Sequence, residues 1–250
     1  MKGGSRSRWI DGVLDVQIIA ACAERAVCVA FVGALLGLDN IAVGQFMLAQ
    51  PAVGAVLLGY VVGEPLLGVW AALTFQLLWV GQIPVGAYVP ASAPITAIAV
   101  VGLAVPAGAP LASRAVAAAA LAIPVGVLAG RLDIWIKSWN VGVLHRGEND
   151  LLDGRPFALG AAVAKGVARF FLKDFFLLLA AVFVGSIIIA LALKKLTPAW
   201  NRGFELVFAV SPAVGVAAAL KAYWKRSNVL AFVAGAAVAA ALAYLFSIIL

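Results

Sequence analysis

Residues 51–92 read PAVGAVLLGYVVGEPLLGVWAALTFQLLWVGQIPVGAYVPAS. Pro51 to Gly63 supplies thirteen apolar residues, Glu64-Pro65 interrupts, and Leu66 to Val80 supplies fifteen more. A helix that crosses the bilayer's hydrocarbon core needs about 20. Segments this short, meeting at an acidic-proline corner, predict re-entrant or broken helices around a polar cavity, because lipid cannot satisfy unwound backbone. The simpler alternative is a helix pair bent at Pro65. Residues 81–91, GQIPVGAYVPA, hold two glycines and two prolines, which excludes a regular helix there.

Composition fixes the class around this stretch. Of 250 residues, 65% are hydrophobic and 12% charged, about half the charged share of a soluble domain. Thirty ionisable side chains (Lys+Arg 18, Asp+Glu 11, His 1) cannot cover a water-facing shell of this size. A soluble enzyme and a disordered chain are both excluded. The fold class is an all-α polytopic membrane protein with about seven to nine membrane segments, some of them short or broken. We read 1–250 as a single integral membrane domain, with 38–98 as its motif-bearing part.

The formal net charge of +7 falls in short gaps between apolar runs, where it sets orientation and meets anionic lipid. It does not form the interleaved basic and aromatic surface that nucleic acid needs. Cys22 and Cys28 lie in an apolar run as small core residues. With one histidine and no carboxylate cluster beside them, neither a metal site nor a cofactor is expected. Ile19 to Cys22, after the basic Lys2, Arg6 and Arg8, superficially resembles a lipoprotein cleavage site. Asp11 and Asp15 interrupt its apolar core, so the N-terminus is expected to stay on.

Along the chain, a first helix is expected from Val16 to Leu38, ended by Asp39-Asn40. Residues 41–50 are too short and polar to span, and Ala93 to Ala107 is another short apolar segment. Ser113 suits a cap for a helix from Arg114 to Trp139, with Pro124 as a kink and Trp135 and Trp139 as an interfacial belt. Residues 140–156 are the most polar stretch and read as a loop. Phe157 to Phe171 then reads as a helix at the headgroups, because Lys165, Arg169 and Lys173 form one basic stripe. Spanning helices are expected at Phe175–Leu193, Phe204–Leu220 and Asn228–Leu250. By the positive-inside rule the seven Lys/Arg from Arg131 to Lys173 and the group Lys221, Lys225 and Arg226 are both expected on the cytoplasmic side. That leaves Lys194, Lys195 and Arg202 on the other, so the sequence does not decide orientation.

The region from Leu38 to Ile98 resembles the membrane subunit IIC of the mannose/fructose/sorbose family of sugar phosphotransferase systems. The resemblance is carried by Leu38-Asp39, Gln45, Met47, Pro51, Gly63-Glu64-Pro65, Gln76 through Gly81 and Pro84 through Pro90. It covers about a quarter of the chain in detail. It implies a sugar-translocating subunit in the bacterial inner membrane, working with a IID membrane partner in a trimer of heterodimers. A hexose-type sugar would be moved inward and phosphorylated from a phosphohistidine on a soluble IIB subunit, itself charged by IIA. The membrane chain would hold no catalytic nucleophile, and His145 reads as an exposed loop histidine rather than a phosphoryl carrier. The chain departs from its relatives at Gln76, where they have glutamate. It departs again at Ala91-Ser92-Ala93, where they commonly have a proline and two aspartates, and at Gln50, where an arginine often stands.

The expected substrate-binding residues are Glu64, Gln76, Gln45, Asp39 and Ser92. Glu64 leads because an ionisable group inside a membrane protein is costly and marks function by default. Gln76 and Ser92 retain hydroxyl recognition without charge. Asp39 serves equally well as the residue that ends the first helix or caps the next segment. Trp70, Trp79 and Tyr88 suit a sugar's apolar face. Two other functions compete: a regulatory or vestigial subunit of the same fold, and an ion-coupled secondary transporter built on Glu64 and Glu205.

Overall fold

The computed structural model describes residues 4–82, 90–104, 109–154, 159–222, 224–225 and 228–238, and in the first helix the side chains of Val16 and of residues from Ile19 onward. Among them are α1 (Gly4–Ile41), α2 (Pro51–Val61), α3 (Pro65–Trp79), α4 (Ala93–Leu103), α5 (Leu111–Leu152), α6 (Leu159–Leu193) and α7 (Pro198–Ala222). A further apolar helix occupies Asn228–Val238. No strand is present among the described residues. Four helices are long and apolar enough to cross a membrane: Ile19–Ile41 of α1, α5, α6 and α7. By contrast α2, α3 and α4 have 11, 15 and 11 residues, about 16 to 22 Å at 1.5 Å per residue, short of the ~30 Å core.

Of the short helices, α4 is enclosed by its neighbours, whereas α2 and α3 each keep an exposed face. Every residue of α4 from Ile95 to Leu103 is buried, in contact with α1, α2, α3, α5 and α6. A helix that is apolar all round belongs in such a position. The α2–α3 hairpin turns at Gly63, which has φ +73°, and closes through Gly59 and Gly68. A Cβ on Gly59 would lie 2.8 Å from the Gly68 Cα and 3.0 Å from the Glu64 carbonyl oxygen. This close approach is the small-residue packing that membrane helices use where lipid offers no hydrophobic drive. Pro124 and Pro212 both lie inside continuous helices. Pro212 has no N–H for the carbonyl four residues back, at Phe208. The indole Nε1 of Trp70 donates to that oxygen at 2.8 Å and the two rings stack at 4.9 Å, joining α3 to α7.

Several expectations change. The first helix continues to Ile41, past Asp39-Asn40. Ser113 does not cap α5, whose N-cap is Pro110; the Ser113 hydroxyl bonds Asn201 Oδ1 of α7 at 2.9 Å. The expected loop at 140–156 is helical to Leu152, and the chain turns only at Asp153-Gly154, where Gly154 has φ +70°. His145 is therefore on a helix, exposed and 3.6 Å from Glu148. The separate headgroup helix and the span at Phe175–Leu193 are one helix, α6. Two members of its basic stripe face α5: Arg169 donates to Asn140 Oδ1 at 2.9 Å and covers the Trp139 ring, and Lys173 reaches Asp133. The stripe's period was right, and its partner is protein because α5 runs on as a helix beside it. The expected irregular segment at 81–91, with Pro84 and Tyr88, falls mostly outside the described residues, as does the end of the last expected span.

Gly59→Val is expected to push α2 from α3 and destabilise the protein by about 1–3 kcal/mol, the usual range for overpacking. Gly142→Ala, where nothing lies within 4 Å of the added Cβ, is the matched control. Thermal unfolding of both variants in detergent measures the difference.

Candidate functional site

Helix ends inside a membrane protein leave unpaired N–H and C=O groups that lipid cannot satisfy. Four such ends converge here. Asn40 and Ile41 close α1, Gln50-Pro51 opens α2, Trp79-Val80 closes α3 and Ser92-Ala93 opens α4, and all of them line one cavity of about 710 Å³. Phe75, Gln76, Gln82, Pro90, Asp133 and Lys137 complete its wall. Both α2 and α4 begin with proline in their first turn, which is preorganised for a helix start and removes one orphan donor.

Side chains and backbone hold these ends open around the cavity. Gln76 Oε1 accepts the Ala52 N–H at 3.2 Å, so the amide carbonyl serves the start of α2 and its NH2 group is left for the cavity. The Ser92 N–H donates to the Gly126 carbonyl at 2.9 Å, and the Ser92 carbonyl accepts from the Thr96 N–H and hydroxyl. Gly126 and Gly130 make that seam possible. A Cβ at Gly126 would overlap the Thr96 side chain, and one at Gly130 would lie 2.7 Å from the Pro90 carbonyl oxygen.

Of the five expected site residues, the structure brings Gln76 and Ser92 together in the cavity wall. Asp39 is buried, and its two carboxylate oxygens accept the N–H groups of Phe46 (2.7 Å) and Ala49 (3.2 Å). It organises the turn between α1 and α2, where Gln45 and Met47 have φ of +55° and +65°. Gln45 is exposed in that turn and is not part of the cavity wall. Glu64 is also absent from it and pairs with Arg114 of α5 at 2.9 Å. Arg114 further donates to the Ala104 carbonyl (2.8 Å), and Arg25 of α1 donates to the Val101 carbonyl (2.7 Å). The two arginines therefore bind the C-terminal carbonyls of α4, where cations also meet the negative end of the helix dipole.

Of the aromatic candidates, Trp79 lines the cavity, Trp70 is buried against α7, and Tyr88 is outside the described residues. Glu205, the second carboxylate of the ion-coupled reading, is exposed on α7. The sequence reading missed Asn40, Gln82, Asp133 and Lys137 as cavity residues, and noted Gln50 only as a departure from a family pattern. Asp133 was visible as a carboxylate within an apolar helix, the same signal that singled out Glu64. Among the described residues no three His, Cys, Asp or Glu side chains group as metal ligands.

The cavity thus offers neutral amides, one hydroxyl, an indole and one pair of opposite charges. Amides and hydroxyls can donate and accept toward a polyol, and an indole face suits the C–H face of a sugar ring. Removing one partner of the Glu64–Arg114 pair leaves a buried charge uncompensated, at a cost of about 3–5 kcal/mol. Glu64→Gln is expected to lower the unfolding temperature strongly, and Glu64→Gln with Arg114→Met to recover part of the loss. An unchanged unfolding temperature in Glu64→Gln would show that the ion pair does not hold α4.

The family model for the sorbose-specific IIC component of the phosphotransferase system matches residues 24–249. A solved structure described only as a membrane protein superposes with a TM-score of 0.58 at 20% identity, over 93% of each chain. The mannose transporter ManYZ, solved in complex with microcin E492, gives a TM-score of 0.40 at 20% identity, over 90% of this chain and 86% of that one. A search of curated protein sequences gives no match.

Proposed function

The chain belongs to the family of sorbose-specific IIC components of sugar phosphotransferase systems, and on that footing we propose that the cavity between the broken helices is its sugar site. It is a membrane component of a phosphotransferase sugar transport system. The proposed cargo is a hexose-type sugar, moved inward across a bacterial inner membrane and phosphorylated from a soluble IIB subunit that IIA recharges. A IID-like membrane subunit is the proposed partner, in a trimer of heterodimers. Residues 38–98 supply most of the cavity wall within one membrane domain spanning 1–250.

The observation that carries this reading is the wall itself. Gln50, Gln76, Gln82, Ser92 and Trp79 all line a space of about 710 Å³, within the usual size range for a small-molecule site. Gln76 and Ser92 are the proposed hydroxyl-binding groups, joined by Gln50 and Gln82. Glu64 and Asp39 support the site by holding α4 and the α1–α2 turn, and Gln45 shapes that turn. The neutral residues at 76 and 92 retune recognition without abolishing it, because Gln76 still offers its NH2 donors and Ser92 a hydroxyl that donates and accepts.

The test is phosphoenolpyruvate-dependent phosphorylation of a hexose panel by vesicles holding this chain and its IID partner, with the soluble components supplied. Phosphorylated sugar is expected only when this chain is present. Gln76→Ala is expected to cut the rate by roughly tenfold or more, the value of one or two hydrogen bonds to substrate. No product with any sugar, from a complex that assembles, would contradict active transport and favour the regulatory reading. Uptake insensitive to phosphoenolpyruvate but abolished by a protonophore would favour the ion-coupled one.

A further inference from the structure

Two charged side chains line the cavity, Asp133 and Lys137, one turn apart on α5. At this i,i+4 spacing they are placed to pair with each other. Asp133 pairs instead with Lys173 of α6, whose ammonium also lies 2.8 Å from Asp174, and all three side chains are almost fully enclosed. That triad compensates itself apart from one negative charge and leaves Lys137 alone. Lys137 is exposed to the cavity and makes no ion pair among the described residues. The Gln76 carbonyl is occupied by the Ala52 N–H, so its amide adds donors to the same wall. The α5 side of the cavity therefore presents an ammonium with no carboxylate at ion-pair distance, one turn from a triad that keeps one net negative charge, in a cavity where the Gln76 amide also has donors to spare.

We infer that Lys137 forms an anion subsite of the cavity and contacts a negatively charged group carried by the sugar. Two sugars supply that chemistry, a sugar acid through its carboxylate and a sugar phosphate through its phosphoryl oxygens. The inference rests on the sugar-site reading above and adds a specificity-determining residue to it. A third source of the same chemistry is a lipid headgroup, since Trp135 and Trp139 are exposed on either side of Lys137, at the level where such headgroups lie.

The experiment is calorimetric titration of this chain, complexed with its membrane partner, in phosphatidylcholine nanodiscs. The probes are mannose, mannose 6-phosphate and glucuronate, with wild type, Lys137→Gln and Lys137→Arg. Binding of mannose 6-phosphate or glucuronate is expected to weaken about tenfold or more in Lys137→Gln, the loss of one charge-assisted bond, and to survive in Lys137→Arg. Mannose affinity is expected to stay within about twofold, which also shows that the variant is folded. Which anion responds tells phosphate from carboxylate. The inference is overturned if mannose binds and neither anion does, or if Lys137→Gln weakens all three probes alike. It is also overturned if the variant differs from wild type only when phosphatidylglycerol is added, which makes Lys137 a lipid contact. If no probe binds at all, the sugar-site reading and this inference fall together.

Discussion

A helix that stops inside a membrane protein must find partners for its last backbone groups, and this fold is arranged around that requirement. At one end of α4 the carbonyls of Val101 and Ala104 are taken by Arg25 and Arg114, and Glu64 balances the second guanidinium. At the other end the Ser92 N–H meets the Gly126 carbonyl. Asp39 satisfies the turn after α1, and Gln76 satisfies the first turn of α2. Three of the five side chains that a sequence reading assigns to substrate have a helix end or turn to serve: Asp39, Gln76 and, through Arg114, Glu64.

The distribution of these partners separates scaffold from site. The charged groups lie at the closed end, where Glu64 and Arg114 are enclosed by protein and fix α4 against α1 and α5. The neutral amides lie at the open end, where four helix termini surround a cavity wide enough for a monosaccharide. Charge at the closed end and neutrality at the open end are complementary. A paired ion inside low-dielectric surroundings gives rigidity, whereas amides that exchange hydrogen bonds with water can exchange them with a polyol at little cost. Asp39, beside Asn40 at the end of α1, and Asp133 and Lys137 break the pattern, the last two on α5, which frames the cavity from outside the broken segment.

The broken helices were legible because Glu64-Pro65 and the glycine-proline runs interrupt hydrophobic stretches too short to span, and neither tertiary context nor a partner changes that count. Gln76 and Ser92 were singled out by a different signal, the family resemblance, in which relatives carry acidic residues at those positions. The residues at 140–152 were not. Hydropathy reads a polar run as a loop, but Leu144, Arg146, Glu148 and Leu151 are good helix formers, and the break waits for Gly154. Once α5 is seen to continue, Arg169 and Lys173 of the stripe acquire protein partners that no local pattern reveals, since Asp133 is 40 positions away from Lys173. Glu64 lies outside the cavity wall for a related reason: an intramembrane carboxylate marks a constraint, and only the third dimension shows that Arg114 answers it.

The proposed sugar site requires that substrate enter the space between the starts of α2 and α4. Protection of an introduced thiol measures that entry, in a chain whose Cys22 and Cys28 are replaced by alanine. Ser92→Cys lies in the cavity wall, and Gly142→Cys lies on the exposed part of α5 with open space around it. A transported sugar is expected to slow maleimide labelling at 92 and to leave the rate at 142 unchanged. Labelling at 92 that is indifferent to a sugar the complex demonstrably transports would contradict this placement of the site.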